Sequence, residues 1–271
     1  MIEIPSLRPE TRYGIPPADH MLFNREYIVG YSYLFRQARW AMEVIDPENK
    51  AVNVERKDPF RADLRIPEQF RATLEDFSGS GYDRGHLVPS ADRRATRLQN
   101  SETFLLTNMS PQLPDFNRKI WRVLEEAVRN LAALYLEVYV ACGPVFEIKK
   151  PIEVIGDDPK KGDDVYIPIP HAYFKSILAE DSRNNLKMWS FILPNEKIAI
   201  PKNATATQLG KLFSKYLVPT SQLEMKVGLP LWDRLRGDKA DRLRKRSNKI
   251  WSFSKAATAM KALDKELKDQ K

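Results

Sequence analysis

The chain of 271 residues has one cysteine, Cys142, and only three histidines, His20, His86 and His171. A lone cysteine excludes an intrachain disulfide, and so few histidines exclude a Cys/His zinc cluster, so any metal must rest on oxygen ligands. No run approaches the ~18 consecutive apolar residues that a membrane span requires, and 11 glycines are too few for a collagen-like chain. Internal repeats, low-complexity blocks and a Pro-rich linker are missing too. The N-terminal MIEIPSLRPETRYG carries Glu3 and no apolar h-region, so no secretory signal is read there and a cytoplasmic location is expected if the chain is complete. What is there is of globular type, 42% hydrophobic and 30% charged, at a length for one large domain or two small ones.

The formal charge of +8 is unevenly placed. From Arg234 to Lys271 there are 13 basic and 5 acidic side chains, so residues 1 to 233 are neutral in sum. A segment such as RLRGDKADRLRKRSNK can grip an anionic polymer by counterion release, and it can equally be a solvated tail. Beyond it Ile250, Phe253, Ala257, Met260, Leu263 and Leu267 recur at helical spacing, which predicts an amphipathic helix over roughly the last twenty residues, packed first of all on its own body. The simplest division is a core domain over 1–235 and a basic, helical C-terminal tail over 236–271.

Strands are expected at 27–35, 38–46, 103–109, 136–146, 170–180 and 186–194, where β-branched and aromatic residues concentrate between turns. A long helix is expected from about Asn117, with Ile120, Leu124, Val128, Leu131 and Tyr135 spaced by three or four, and a second at about 205–216. Strands in sequence without regular helical crossovers predict an α+β domain built on a mainly antiparallel mixed sheet flanked by helices.

The most unusual stretch is SGSGYDRGHLVPSADRR, 78–94, whose glycines and polar side chains predict a tight irregular segment brought close to something. It holds His86, and histidine exchanges protons most readily near neutral pH; a surface turn with incidental charges has the same composition. Neither Ser78 nor Ser80 lies in a G-x-S-x-G elbow, which argues against a serine hydrolase. In TNMSPQLPDFNRKIWRVLEE, 107–126, Asn117 and Glu125 fall within about 80° of each other around a helix of about 3.6 residues per turn. An amide oxygen and a carboxylate are hard donors suited to a Mg²⁺ ion that keeps most of its waters; a helix cap and a solvated acid fit the same two residues. Cys142 reads as a buried structural thiol, and His20 and His171 as structural or surface residues.

Taken together these segments resemble the DNA/RNA non-specific endonuclease family of the His-Me finger (ββα-metal) superfamily, the group that includes mitochondrial endonuclease G. The resemblance rests on DRGH as Asp83, Arg84, Gly85 and His86, on TNMSPQ at 107–112, and on Asn117, Trp121, Leu124 and Glu125. It continues in VYVACGPVF, IPIPHAYFK, FILPN and YLVPTSQLE, and covers roughly residues 12 to 233. It implies a ββα-metal active site and an enzyme that cleaves DNA and RNA with little sequence preference, leaving 5′-phosphate ends. His86 would be the general base, Asn117 the direct ligand of one hydrated Mg²⁺, with Mn²⁺ able to substitute, and Glu125 a ligand through water. Arg84 would lie near the substrate phosphate, Asp83 would order the metal waters, and Asn108 matches an active-site asparagine. Arg56 resembles a further phosphate-binding arginine on a loose alignment in which Arg61 is its substitute.

The chemistry is coherent, since an imidazole with an ordinary pKa near ~6.5 can accept the proton of the attacking water while cation and arginine offset charge on the phosphorane. The partners expected are DNA and RNA, a protein inhibitor or other restraint, and a second copy of the chain, since dimers are common in the family. The rival reading is a nucleic-acid-binding module that keeps the fold but no longer cuts; a base together with a metal site argues against it.

Overall fold

The computed structural model describes residues 8–45, 59–156 and 166–259. In chain order the strands are β1 (His20–Asn24), β2 (Tyr27–Ser32), β3 (Gln37–Val44), β4 (Asp83–His86), β5 (Met109–Gln112), β6 (Glu137–Val145), β7 (Val154–Ile155), β8 (Ile167–Pro168), β9 (Ala172–Glu180), β10 (Leu186–Pro194) and β11 (Leu217–Val218). The helices are α1 (Leu74–Phe77), α2 (Arg97–Glu102), α3 (Arg122–Leu131), α4 (Ala206–Ser214), α5 (Thr220–Val227) and α6 (Asp238–Lys245), with a π-helical stretch over Phe116–Trp121 leading into α3. Seven strands form one sheet in the order β1-β2-β3-β6-β9-β10-β11, each neighbour antiparallel; β4 pairs only with β5, and β7 with β8. The α+β architecture with an antiparallel sheet is the one expected.

Both faces of the large sheet are covered. Along β6 the side chains alternate, Val138, Val140 and Cys142 joining one apolar cluster, Tyr139 and Ala141 the other. The first cluster is closed by Ile120, Leu124, Ala127, Val128 and Leu131 of the long helix and by Leu209 and Phe213 of α4. The second is closed by Leu223 of α5, by Leu229, Leu231 and Trp232, and by Leu243 of α6. Sheet positions that face protein on either side favour near-continuous apolar runs, and burial of each large side chain contributes ~1.5–3 kcal/mol. This is why five of the six expected strands, β2, β3, β6, β9 and β10, stand within a few residues of their expected bounds.

The sixth does not. Over 103–108 the chain makes turns and a 3₁₀ turn at Leu106–Asn108, and only Met109 enters a strand. The apolar residues that suggested a strand, Phe104 and Leu106, are buried, but the Asn108 amide donates to Thr103 O at 2.9 Å and closes the segment into a loop. The glycine-rich stretch differs in the other direction. Gly79 and Gly81 have positive φ of 70° and 80° and make the turns, whereas Asp83–His86 is regular strand. The close approach expected there lies inside the protein: a Cβ on Gly85 would meet Gln112 Oε1 at 2.1 Å and Cγ at 2.5 Å.

Beyond Leu235 the chain stays on the body. Leu243 of α6 packs on the second cluster, and Arg244 donates to Leu235 O, Leu231 O and Trp232 O. The chain then passes β10, where Asn248 donates to Met188 O and Trp189 to Lys249 O, and reaches the first cluster, where Phe253, Ala256 and Ala257 are buried. Residues 254–259 are helical, while Met260, Leu263 and Leu267 lie outside the described residues.

Gly85→Ala is expected to cost ~1–3 kcal/mol by overpacking, because Gln112 is wholly buried and cannot swing away. Thermal denaturation of Gly85→Ala, Gln112→Ala and the double variant checks it: the two losses should be clearly non-additive, and an unaltered Gly85→Ala protein would refute the contact. Burial pushes the Cys142 thiol up to about 12. At pH 8 a thiol reagent is therefore expected to leave the native protein untouched and to titrate one equivalent after unfolding in guanidinium.

Candidate active site

Strand β4 carries three of the expected site residues and is held in register on β5 by Asp83↔Gln112 and His86↔Met109 pairing. The His86 ring meets Phe104 edge-on at 5.0 Å between centroids and Phe60 at 5.8 Å. Arg84 lays its guanidinium over the same Phe60 ring, 4.4 Å from the centroid. Phe60 thus fixes base and arginine side by side. Behind them Asn108 is wholly buried: its Oδ1 accepts from Val88 N at 3.0 Å, and its Nδ2 donates to Val88 O and Thr103 O, both at 2.9 Å. All of its side-chain bonds go to backbone, so in this structure Asn108 shapes the chain that follows His86.

Asn117 lies on the π-helical stretch, one residue after its start. The wider i→i+5 turns there shift the phase relative to Glu125 from the value that uniform α-helical spacing gives. Its Nδ2 donates to Asp83 Oδ2 at 2.9 Å, and its Oδ1 accepts no hydrogen bond among the described residues. The Asp83 carboxylate is also gripped by Arg118, Nε to Oδ2 at 2.8 Å and Nη2 to Oδ1 at 2.6 Å. Both Asp83 oxygens are therefore occupied by Asn117 and Arg118. The bond is directional: it orients the amide and leaves its oxygen as the free donor atom.

A second anchor sets the backbone there. Asn195, just past β10, accepts from Leu113 N at 2.9 Å and donates to Pro111 O and Pro170 O at 3.1 and 3.0 Å. Leu113 O in turn accepts from Phe116 N and Asn117 N, both at 2.9 Å. The last asparagine of FILPN is in this way a positioning residue for Asn117, a role its place in the sequence does not disclose.

Glu125, two turns further along the helix, is partly accessible, and its carboxylate accepts no hydrogen bond among the described residues. Burial pushes its pKa up to about 7 against the pull of Lys175 and Arg129, with Asp92 adding to the rise. Lys175 is wholly buried on β9, its Nζ 4.8 Å from the Trp121 ring centroid. Arg129, one turn beyond Glu125, is held by Asp92 and Glu126, and Arg93 pairs with Glu43 at 2.8 Å where both are buried. A lattice of buried charge thus underlies the helix that carries Asn117 and Glu125.

Asp83 and Asn117 are joined directly, Arg84 and His86 through Phe60. Arg56 lies outside the described residues, and the guanidinium of Arg61 is spent on Pro59 O and Ser101 O at 3.1 and 2.9 Å. Arg118, Lys175 and Arg129 were not singled out from the sequence; all three occur among ordinary charged or apolar neighbours, and only Lys175 lies within a matched motif, IPIPHAYFK. His171 accepts from Glu147 N at Nδ1 and pairs with Pro151 O through Nε2, a structural bridge. His20 meets the Tyr33 hydroxyl at 2.8 Å.

Among the described residues no group of three or more His, Cys, Asp and Glu side chains is arranged to hold a metal. The donors at hand are an oriented amide oxygen and a carboxylate that lacks a hydrogen-bond donor. This sparse oxygen set fits a Mg²⁺-like ion that retains several waters and does not fit a closed zinc site.

The sequence model of the DNA/RNA non-specific endonuclease family matches residues 7–238. The mitochondrial nuclease of Saccharomyces cerevisiae is 36% identical over 267 aligned residues, which cover 91% of this chain and 77% of that protein. The mitochondrial endonuclease G of Homo sapiens is 29% identical, over 80% of this chain and 71% of its own length. A solved structure of an EndoG/EndoGI complex, described as showing the mechanism of EndoG inhibition, contains a chain that superposes with a TM-score of 0.76 at 28% identity, covering 94% of this chain and 100% of that one. The ββα arrangement of β4, β5 and the helix from Phe116 therefore stands in a known setting, and the chain belongs to the DNA/RNA non-specific endonuclease family.

Proposed function

We propose that this endonuclease hydrolyses DNA and RNA with His86 as general base and one hydrated divalent cation held directly by Asn117 Oδ1 and through water by Glu125. The observation that carries the reading is the Asp83–Asn117 hydrogen bond, which turns the amide so that its oxygen alone is left for a cation. Mg²⁺ is the ion proposed, with Mn²⁺ as a substitute; when bound it supplies Lewis-acid stabilisation of the negative charge that grows on the leaving oxygen.

The protein's own groups do the rest. His86, steadied by Phe104 and Phe60, accepts a proton from the attacking water at a ring nitrogen. Arg84, fixed over Phe60, faces the phosphate and offsets its charge. With attack on the phosphorus side that expels the 3′ oxygen, the products carry 5′-phosphate and 3′-hydroxyl ends. Contacts of this kind address the backbone and not the base edges, which supports slight sequence preference. Asp83 acts through Asn117, and Asn108 and Asn195 act through the backbone, as positioning residues. Arg56 and Arg61 carry no step here. A nuclease with so little selectivity needs restraint, and the inhibitor complex of the solved relative supports a protein inhibitor for this chain as well.

Purified protein is expected to degrade supercoiled plasmid and RNA with Mg²⁺, to stop with EDTA, and to lose ~10²–10⁴-fold in rate as His86→Ala. Intact substrates with both Mg²⁺ and Mn²⁺, together with a gel shift of the plasmid, would instead mark a binding module of the same fold. Asp83→Ala should raise the Mg²⁺ concentration for half-maximal rate by ~10–100-fold with a smaller change in the saturated rate, as loss of an outer-sphere orienting group does. An equal fall in rate at every Mg²⁺ concentration would show that Asp83 does not work through the cation.

A further inference from the structure

The basic excess of the chain has no place in the site described above. Between Arg234 and residue 259 there are nine basic side chains and two acidic ones, Asp238 and Asp241. Of the nine, Arg244 is turned inward, donating to three carbonyls and pairing with Glu224 at 3.6 Å. By contrast Lys239, Arg242, Lys245, Arg246 and Lys249 are exposed, and none is in an ion pair among the described residues.

Their backbone is well fixed. Helix α6 is seated by Leu243 and Arg244, and the chain after it by Asn248 to Met188 O at 2.7 Å, Trp189 to Lys249 O at 3.0 Å and Trp251 to Ala127 O at 3.0 Å. The route matters. It starts on the sheet face that α5 and α6 cover, passes the half of β10 that β11 leaves unpaired, and ends against α3 on the opposite face. The cations thus form a ribbon around the sheet, leading from the far side to the helix that carries Asn117 and Glu125. Cations in the last turn of α6 also complement its dipole, but Arg246 and Lys249 lie beyond the helix and gain nothing from it.

We propose that this ribbon is a second contact surface for the nucleic-acid backbone, built on Arg242, Lys245, Arg246 and Lys249 and separate from the cleft where cleavage occurs. The choice of nucleic acid as occupant rests on the proposed nuclease reading and on charge complementarity, since the remainder of the chain, residues 1 to 233, is neutral and supplies no net attraction for a polyanion. A long substrate would be held at both places and a short one at the cleft alone. The surface would then lower the apparent KM for polymer and leave turnover unchanged.

The test replaces the four cations with glutamine, leaving every proposed cleft residue in place. First, in a His86→Ala background, binding of a fluorescent duplex of about 40 base pairs, on the order of 130 Å at about 3.4 Å per pair, is followed from 50 to 200 mM salt. Each lost phosphate contact should lower the slope of log K against log salt by ~0.9, so a drop of about 3.6 is expected for the set of four. An unchanged slope overturns the proposal. Second, with His86 intact, KM for the same duplex should rise at least tenfold with kcat unaltered, while KM for a dinucleotide ester stays as it was. Equal loss on both substrates would place the residues in the cleft or the fold and overturn the proposal. Arg242→Lys with Arg246→Lys should retain the slope, which separates charge from structural damage.

A variant that keeps its duplex slope but no longer binds vesicles of anionic phospholipid would assign the ribbon to a membrane and refute this reading. If the slope falls while the unaltered protein cleaves nothing, the surface stands and the nuclease reading fails.

Discussion

One carboxylate, that of Asp83, joins the two halves of the site. It projects from β4 and receives the Asn117 amide and the Arg118 guanidinium from the helix, so strand and helix are tied at the point where chemistry is proposed. The bond matters for geometry far more than for stability. Arg118 is 69% exposed, and an ion pair so open to solvent contributes ~0–1 kcal/mol. Its reliability depends on supports that are themselves buried: Gly85 against Gln112 fixes β4 on β5, and Asn195 fixes Leu113, from which the π-helical stretch begins. A shift of one register position in β4 would turn Arg84 and His86, which share one face of the strand, to the face that Asp83 now occupies.

Beneath the helix the protein tolerates a concentration of charge that a simple apolar core would avoid. Glu43 and Arg93 are paired and wholly buried, Asp92 holds Arg129, and Lys175 stands over Trp121. Buried pairs of this kind add little to net stability, yet loss of one member leaves the other uncompensated. Their arrangement also fixes the potential around Glu125, where desolvation and Asp92 favour the neutral acid and Lys175 and Arg129 favour the carboxylate. The apolar stripe of the helix and this charged lattice share the same side of the sheet.

Much of this was legible in the sequence, and the parts that were not share a physical cause. β6, β9 and β10 announce themselves because both faces of the sheet are covered and their residues are apolar almost without interruption. The long helix shows its apolar spacing, but the π-helical stretch at its start does not, since 3.6-residue periodicity is blind to a locally wider turn. DRGH contains a glycine and three polar residues and looks irregular; it is a strand because MSPQ pairs with it from 26 positions away. For the site, His86, Arg84, Asp83, Asn117 and Glu125 stand out through ordered motifs. Asn195 and Lys175 lie in matched motifs as well, yet their tasks are set by contacts across the fold, Asn195 to Leu113 over 82 positions, and no local pattern encodes them. Asn108 illustrates the converse, a motif asparagine whose amide is given wholly to backbone.

The two ends of the described chain are sewn to each other and to the middle. Arg234 N donates to Tyr13 O at 3.1 Å, Tyr13 donates its hydroxyl to Glu180 at 2.7 Å, and Trp251 donates to Ala127 O. During synthesis these stitches can close only in turn, the first after Glu180 is made, the next after Arg234 and the last after Trp251. Because β3 must also wait for β6, the nascent chain meets most of its partners late, a topology of high contact order that folds slowly. An enzyme capable of cutting nucleic acid indiscriminately is thereby assembled in stages: the helix bearing Asn117 and Glu125 receives the brace of Trp251 only once the chain has grown 124 positions beyond Ala127.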